Sequence, residues 1–126
     1  MNKQIIQTDK APAPIGPYSQ AVQTGNLLFV SGQVAINPDT NDFVGTGIIE
    51  ETRQVMQNIK SILTTAGMDF KNVIKTTIFL SDMNLFGDLN EIYAGYFDGD
   101  FPARETIAVK GLPKNANVEI SVIAAS

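Results

Sequence analysis

The chain is expected to fold as an α+β domain in which one mixed β-sheet carries two helices on a single face. Three features predict this. Segments with strand and helix character follow the order strand, strand, helix, strand, helix, strand, strand. Turn residues separate the first two strands, as in an antiparallel hairpin. The strand–helix–strand units that follow favour parallel pairing through right-handed crossovers.

The 126 residues fit one domain, taken as 1–126, and 44% of them are hydrophobic. A chain of this size can bury about two thirds of its unfolded surface. Cys is absent, so the core must hold without disulfides. No apolar run approaches the roughly 20 residues of a membrane span, and Met1 to Lys10 lacks the apolar stretch of a signal peptide. The expectation is a cytoplasmic protein that does not engage membranes.

Ala11-Pro12-Ala13-Pro14-Ile15-Gly16-Pro17 cannot lie inside a helix or a central strand and reads as a loop. Tyr18 to Gln23 and Asn26 to Ala35 read as paired strands joined through Thr24-Gly25-Asn26, and Asn37 to Asp42 as a loop. A helix is expected over roughly Gly47 to Ala66. Val55, Ile59, Ile62 and Ala66 recur at helical spacing, Glu50 and Glu51 suit its positive end, and Gly67 suits its terminus.

Val73 to Leu80 alternates and reads as a strand. A second helix is expected from Ser81 or Asp82 to about Phe97, with Leu85, Leu89, Ile92, Tyr93 and Tyr96 apolar. Arg104 to Lys110 and Val118 to Ala125 are the last strands. Two helices cover only one face of such a sheet. The other face, expected to carry Val73, Phe79 and Ile123 or their opposites, needs a partner, so self-association is expected.

The residue inventory narrows the chemistry. There is no His and no Cys. The commonest general base, thiol nucleophiles and zinc sites of the nitrogen/sulfur kind are therefore excluded. The net charge is −4, and basic residues are scattered rather than gathered in a stripe, which argues against nucleic-acid binding. An enzyme built from what remains would bind an anion and move protons with a carboxylate, a hydroxyl or water.

Three places carry such groups. Arg104 follows Phe101-Pro102-Ala103 at the start of a strand, where its planar guanidinium can pair two-pronged with a carboxylate or serve as an ordinary surface charge. Glu119, inside Val118-Glu119-Ile120-Ser121-Val122, is either solvated or a buried general acid/base. Tyr18, in Ile15-Gly16-Pro17-Tyr18-Ser19, offers a hydroxyl or simple packing. Ser31 and Gly32, in Val30-Ser31-Gly32-Gln33, read as a ligand-approach site or a strand bulge.

Taken together, Ile15-Gly16-Pro17-Tyr18, Ser31-Gly32-Gln33, Asn90-Glu91-Ile92-Tyr93, Pro102-Ala103-Arg104 and Val118-Glu119-Ile120 resemble, in order and over essentially the whole chain, the reactive intermediate deaminase or YjgF-like family. The resemblance implies a chorismate-mutase-like fold with the last strand central in the sheet, and a homotrimer with sheets facing inward. It implies hydrolysis of 2-aminoacrylate-type enamines and imines to 2-keto acids and ammonia, without metal or cofactor. By position, Arg104 would hold the substrate carboxylate and Glu119 would position water and shuttle protons. Tyr18, Ser31, Gly32, Asn90 and Thr106 would line a site between subunits. Two departures bear on substrate range. Glu105 stands where a small or apolar residue is usual, and Thr106 where many deaminating members have Cys. Competing readings are a non-catalytic binder of small 2-keto acids and, less favoured, a ribonuclease or translation inhibitor.

Overall fold

The expected hairpin closes at Gly25 and Asn26. In the computed structural model, which describes residues 1–126, β2 (Ala21–Thr24) and β3 (Leu27–Gln33) pair antiparallel with Thr24 opposite Leu27. Before β2 lies β1 (Gln4–Ile6), which pairs with β2's outer side. The sequence pattern does not reveal β1, because it has three residues and only Ile6 is buried. The strand expected from Tyr18 begins instead at Ala21. Upstream, the buried Gln20 amide accepts from Thr8 N (2.7 Å) and donates to the carbonyls of Thr8, Ala11 and Pro12, tying the proline-rich loop in place.

α1 (Ile48–Thr65) agrees with the expected helix to within its caps, and Val55, Ile59, Ile62 and Leu63 are fully buried along one face. It ends in a Schellman turn: Gly67 at φ 74° lets its N–H reach Thr64 O and lets Met68 N reach Leu63 O, both at 2.9 Å.

β4 (Val73–Leu80) has the expected limits, but a bulge between Val73 and Lys75 changes its faces. Val73, expected on the uncovered face, is buried beneath the helices, and Ile74 is turned outward. One extra residue in a bulge reverses the alternation on its far side.

The second helix is shorter than expected. Asp82 caps a 3-10 turn over Met83–Leu85, and α2 runs only from Phe86 to Ala94. Gly95 ends it, and Tyr96 and Phe97 turn aside to pack their rings 5.4 and 5.6 Å from that of Phe70. β5 (Ala103–Ala108) and β6 (Val118–Ala125) complete the chain.

The sheet order is β1-β2-β3-β6-β4-β5. β6 enters between β3 and β4, antiparallel to both, while β4 and β5 are parallel. The mixed sheet with two helices is as expected, and the last strand is central as the resemblance implies, but β1 makes it six-stranded where the sequence pattern gives five strands. Val118, Ile120, Val122 and Ala124 of β6 pack under the helices in one cluster of 22 buried residues. Glu119, Ser121 and Ile123 alternate onto the other face, which no helix covers. Phe29 (42% exposed) and Ile107 (50%) lie on that open face, opposite Ile123 and Phe79. No helix is long and apolar enough to cross a membrane.

Candidate active site

The residues singled out from the sequence separate into two clusters on opposite faces of the sheet. Glu119 pairs with Phe79 on the open face. Arg104 pairs with Thr76, and Thr106 with Ile78, on the face that carries the helices. Glu105 alternates away from Arg104, as expected for a strand. It is bound on the open face by Lys75 Nζ (3.1 Å) and Thr77 Oγ1 (3.4 Å).

The open-face cluster is built by a bulge. β3 and β6 keep register up to Val30–Val122 and resume at Gln33–Ile120, so Ser31 and Gly32 together stand opposite Ser121. Gly32 thereby lies directly under Glu119. A Cβ at position 32 would sit 2.6 Å from Glu119 Oε2 and 2.8 Å from its Cδ. Glycine at this position leaves the Glu119 carboxylate where it stands; any Cβ would push it aside. Glu119 is partly buried, and desolvation pushes its carboxyl above the usual carboxylate range.

Ser31 Oγ donates to Ser19 O at 2.6 Å, so its oxygen is left as an acceptor toward the cavity. The Tyr18 hydroxyl accepts weakly from Ile15 N (3.4 Å), which leaves its proton free to donate. Tyr18, Ser31, Gly32 and Glu119 line one cavity of about 400 Å³, with Pro12, Ala13, Ile15, Val34 and Ile36 as apolar walls.

Gln20 and Lys114 also line this cavity, and neither was singled out from the sequence. Lys114 and Asn115 both adopt left-handed backbone, φ 61° and 56°, in the turn before β6. That turn is anchored by Asn117, whose N and Nδ2 donate to the fully buried Glu51 carboxylate at 2.9 and 2.6 Å. Only a tertiary contact joins Glu51 to Asn117, so no local pattern announces either the anchor or the turn.

The helix-face cluster centres on Arg104. Its guanidinium lies 5.1 Å from the centroid of the Tyr93 ring and 5.5 Å from that of Phe86. The salt bridges of the chain are Arg53–Glu50 and Lys75–Glu105, so no carboxylate neutralises Arg104. Asn90 and Arg104 line a cleft of about 270 Å³ together with Tyr93, Ala94, Phe101 and Pro102. Two buried polar atoms lack any partner, and both belong to site candidates: Asn90 Oδ1 and Thr106 Oγ1. Both are hydrogen-bonding atoms that the protein itself leaves available to a polar ligand or water. No group of three or more Asp or Glu side chains converges in the manner of a metal site.

A single protomer thus unites Tyr18, Ser31, Gly32 and Glu119, and separately Arg104 and Asn90, but does not bring the two groups into one cavity. Fold and site together define a class: small α+β proteins whose polar groups are divided between the two faces of one central-insertion sheet. The family model described as Endoribonuclease L-PSP matches residues 8–126, and the chain belongs to that family, which includes the Rid and YjgF proteins. A mouse protein named 2-iminobutanoate/2-iminopropanoate deaminase is 50% identical over 122 residues, covering 97% of this chain and 90% of its own. A Rid family structure from Yersinia pestis superposes with a TM-score of 0.97 at 49% identity, covering 99% of this chain and 100% of that one. The YjgF structure from Escherichia coli gives 0.92 at 38% identity, covering 97% and 98%. The family expected from the sequence motifs is the family found.

Proposed function

We propose that residues 1–126 act as one domain that hydrolyses 2-imino acids of the 2-iminopropanoate and 2-iminobutanoate type, and their enamine tautomers, to 2-keto acids and ammonia. The active unit is a homotrimer with the open sheet faces turned inward. Each site joins the Arg104 cleft of one copy to the Glu119 cavity of the next. The names of relatives 45–50% identical over nearly the whole chain support the reaction. The observation that carries the site is the division itself: a guanidinium with no salt-bridged carboxylate on one face, and a desolvated carboxylate with no salt-bridged cation on the other.

The chemistry follows from these groups. Arg104 grips both oxygens of the substrate carboxylate and fixes the plane of the C=N bond. Asn90 and Thr106 supply the remaining polar contacts. A water held by Glu119 adds through its oxygen to the imine carbon. The carboxylate takes the water's proton, and Glu119 or Tyr18 returns a proton to nitrogen. Glu119 then takes the carbinolamine hydroxyl proton and passes a proton to the amino nitrogen, so that the C–N bond breaks, ammonia leaves and the C=O bond of the keto acid forms. An imine carbon is already electrophilic, so placing the water matters more than a strong base.

Glu119 also argues for an enzyme over a simple keto-acid binder. A binder gains nothing from a desolvated carboxylate that repels its own anionic ligand. A ribonuclease reading rests on names alone, those of the family description and of solved relatives whose names include endoribonuclease. The chain carries no His and a net charge of −4, both unsuited to cleaving a phosphate backbone.

The test is a coupled assay. An amino-acid oxidase generates imines in place, and keto-acid appearance is followed with and without the protein. Acceleration is expected, and an unchanged rate would refute the enzyme reading. Light scattering during size-exclusion chromatography should return the trimer mass, and a monomer at micromolar concentration would sink the shared site.

A further inference from the structure

We propose that Phe86 and Tyr93 form an aromatic cradle that positions the Arg104 guanidinium for its ligand, making both of them positioning residues of the site. This rests on the reading of Arg104 as the carboxylate grip.

The three residues that meet Arg104 from α2 lie on one helical stripe. Phe86, Asn90 and Tyr93 are spaced four and three apart and so share a face. The outer two present rings within about 6 Å of the guanidinium carbon, the range of a cation–π contact. Asn90 stands between them with its Oδ1 unpaired.

The Tyr93 ring is rigidly held. Its hydroxyl donates to Thr76 Oγ1 at 2.9 Å, and Thr76 is fully buried. Thr76 is also the residue paired with Arg104 across β4 and β5. The strand position that carries the arginine is therefore tied to the ring that supports it. Behind Tyr93, the Phe97 ring packs at 4.9 Å and closes the other side. Burial raises the Tyr93 phenol above its ordinary value, so the ring meets Arg104 as a neutral π face and not as an anion.

The usual way to hold a partly buried arginine is a carboxylate, which occupies its N–H donors and cancels its charge. Here no carboxylate does so. Aromatic faces attract the cation from above its plane and leave the in-plane N–H fork open. They also strip water from the guanidinium, which strengthens its bond to an incoming carboxylate. The cradle thus fixes direction without competing for the ligand.

The test compares a carboxylate with its uncharged counterpart. Dissociation constants of 2-oxobutanoate and 2-oxobutanamide are measured by calorimetry on assembled protein, together with melting temperature and kcat and KM for imine hydrolysis. Wild type should prefer the carboxylate, and Arg104→Gln should abolish the preference. Tyr93→Leu and Phe86→Leu should each reduce the preference about three- to tenfold, through weaker carboxylate binding with amide binding unchanged. KM should rise more than kcat falls. Tyr93→Phe, which keeps the ring, should recover most of the preference despite losing the Thr76 hydrogen bond. Phe86 is less buried than Tyr93, so Phe86→Leu keeps the test open should Tyr93→Leu fail to assemble.

If the preference depends on Arg104 but both leucine variants retain it, the cradle is overturned and the grip stands. Equal loss of carboxylate and amide binding would make the rings ordinary packing, and also overturns the cradle. If wild type shows no preference and Arg104→Gln changes nothing, the grip itself fails and takes the cradle with it.

Discussion

The carboxylate of Glu119 occupies the space that a side chain at position 32 would fill: a Cβ on Gly32 would come within 2.6 Å of Glu119 Oε2. The bulge that offsets Ser31 and Gly32 from β6 and the single carboxylate of β6, on the open face, are therefore one device. Gly32→Ala should displace the far end of Glu119, which is flexible, so folding should survive with a stability change of about 1 kcal/mol or less. Imine hydrolysis should fall by roughly ten- to hundredfold, because the water is no longer aligned. Rate and melting temperature on one preparation check this, and an alanine variant with the wild-type rate would break the link between the two residues.

Glu119→Gln should keep the fold and keto-acid binding while losing about 10²–10⁴ in hydrolysis, since an amide cannot take up the proton. It should also be more stable than wild type at neutral pH. The carboxyl's folded pKa is raised by burial. Such a group costs nothing below its unfolded pKa, and its penalty appears as pH rises through the folded value. The melting-temperature advantage of Glu119→Gln should thus be present at pH 7 and vanish below about pH 4. By the same shift, wild-type activity should fall toward acid with a midpoint above that of an ordinary glutamate. An advantage unchanged across this range would remove the desolvation account.

Arg104→Lys should lose roughly ten- to hundredfold in kcat/KM, because an ammonium attracts the carboxylate without fixing its plane, at a cost of about 1.5–3 kcal/mol. Arg104→Ala should lose more and weaken pyruvate binding in parallel. If Arg104 were only an assembly residue, activity per assembled trimer would be unchanged while assembly suffered.

Mixing separates a shared site from a self-contained one. Arg104→Ala and Glu119→Gln should each be nearly inactive alone. After joint unfolding and refolding, roughly a quarter of the interfaces in random mixed trimers would join an intact Arg104 to an intact Glu119. Activity should return to about that fraction. No recovery, despite mixed trimers being present, would place both groups in one subunit.

Much of this protein was legible locally. α1, β4 and β6 have their expected limits to within a residue or two, because long periodic runs bounded by glycine or turn residues leave little choice of element. Tyr18, Ser31, Gly32 and Glu119 become candidates through their motifs taken together; alone, Glu119 reads as solvated or buried and Gly32 as a ligand approach or a bulge. Elements that rest on distant contacts were not legible. β1 exists by pairing with β2, α2 stops early because Tyr96 and Phe97 turn to Phe70, and the bulge at Ile74 moves Val73 under the helices.

The sequence by itself determined the inventory of chemistry: arginine, carboxylate and hydroxyls, with no His or Cys, on a sheet that two helices cover only once. Only the tertiary structure decided that Arg104 and Glu119 stand on opposite faces. Facing is a parity set by register and bulges across paired strands, and a residue's own neighbours in the chain do not encode which strand will lie beside it. The aromatic support of Arg104 arises the same way. Phe86 and Tyr93 read as an apolar helix stripe until α2 is laid against β5, where the stripe meets a cation in place of another apolar face.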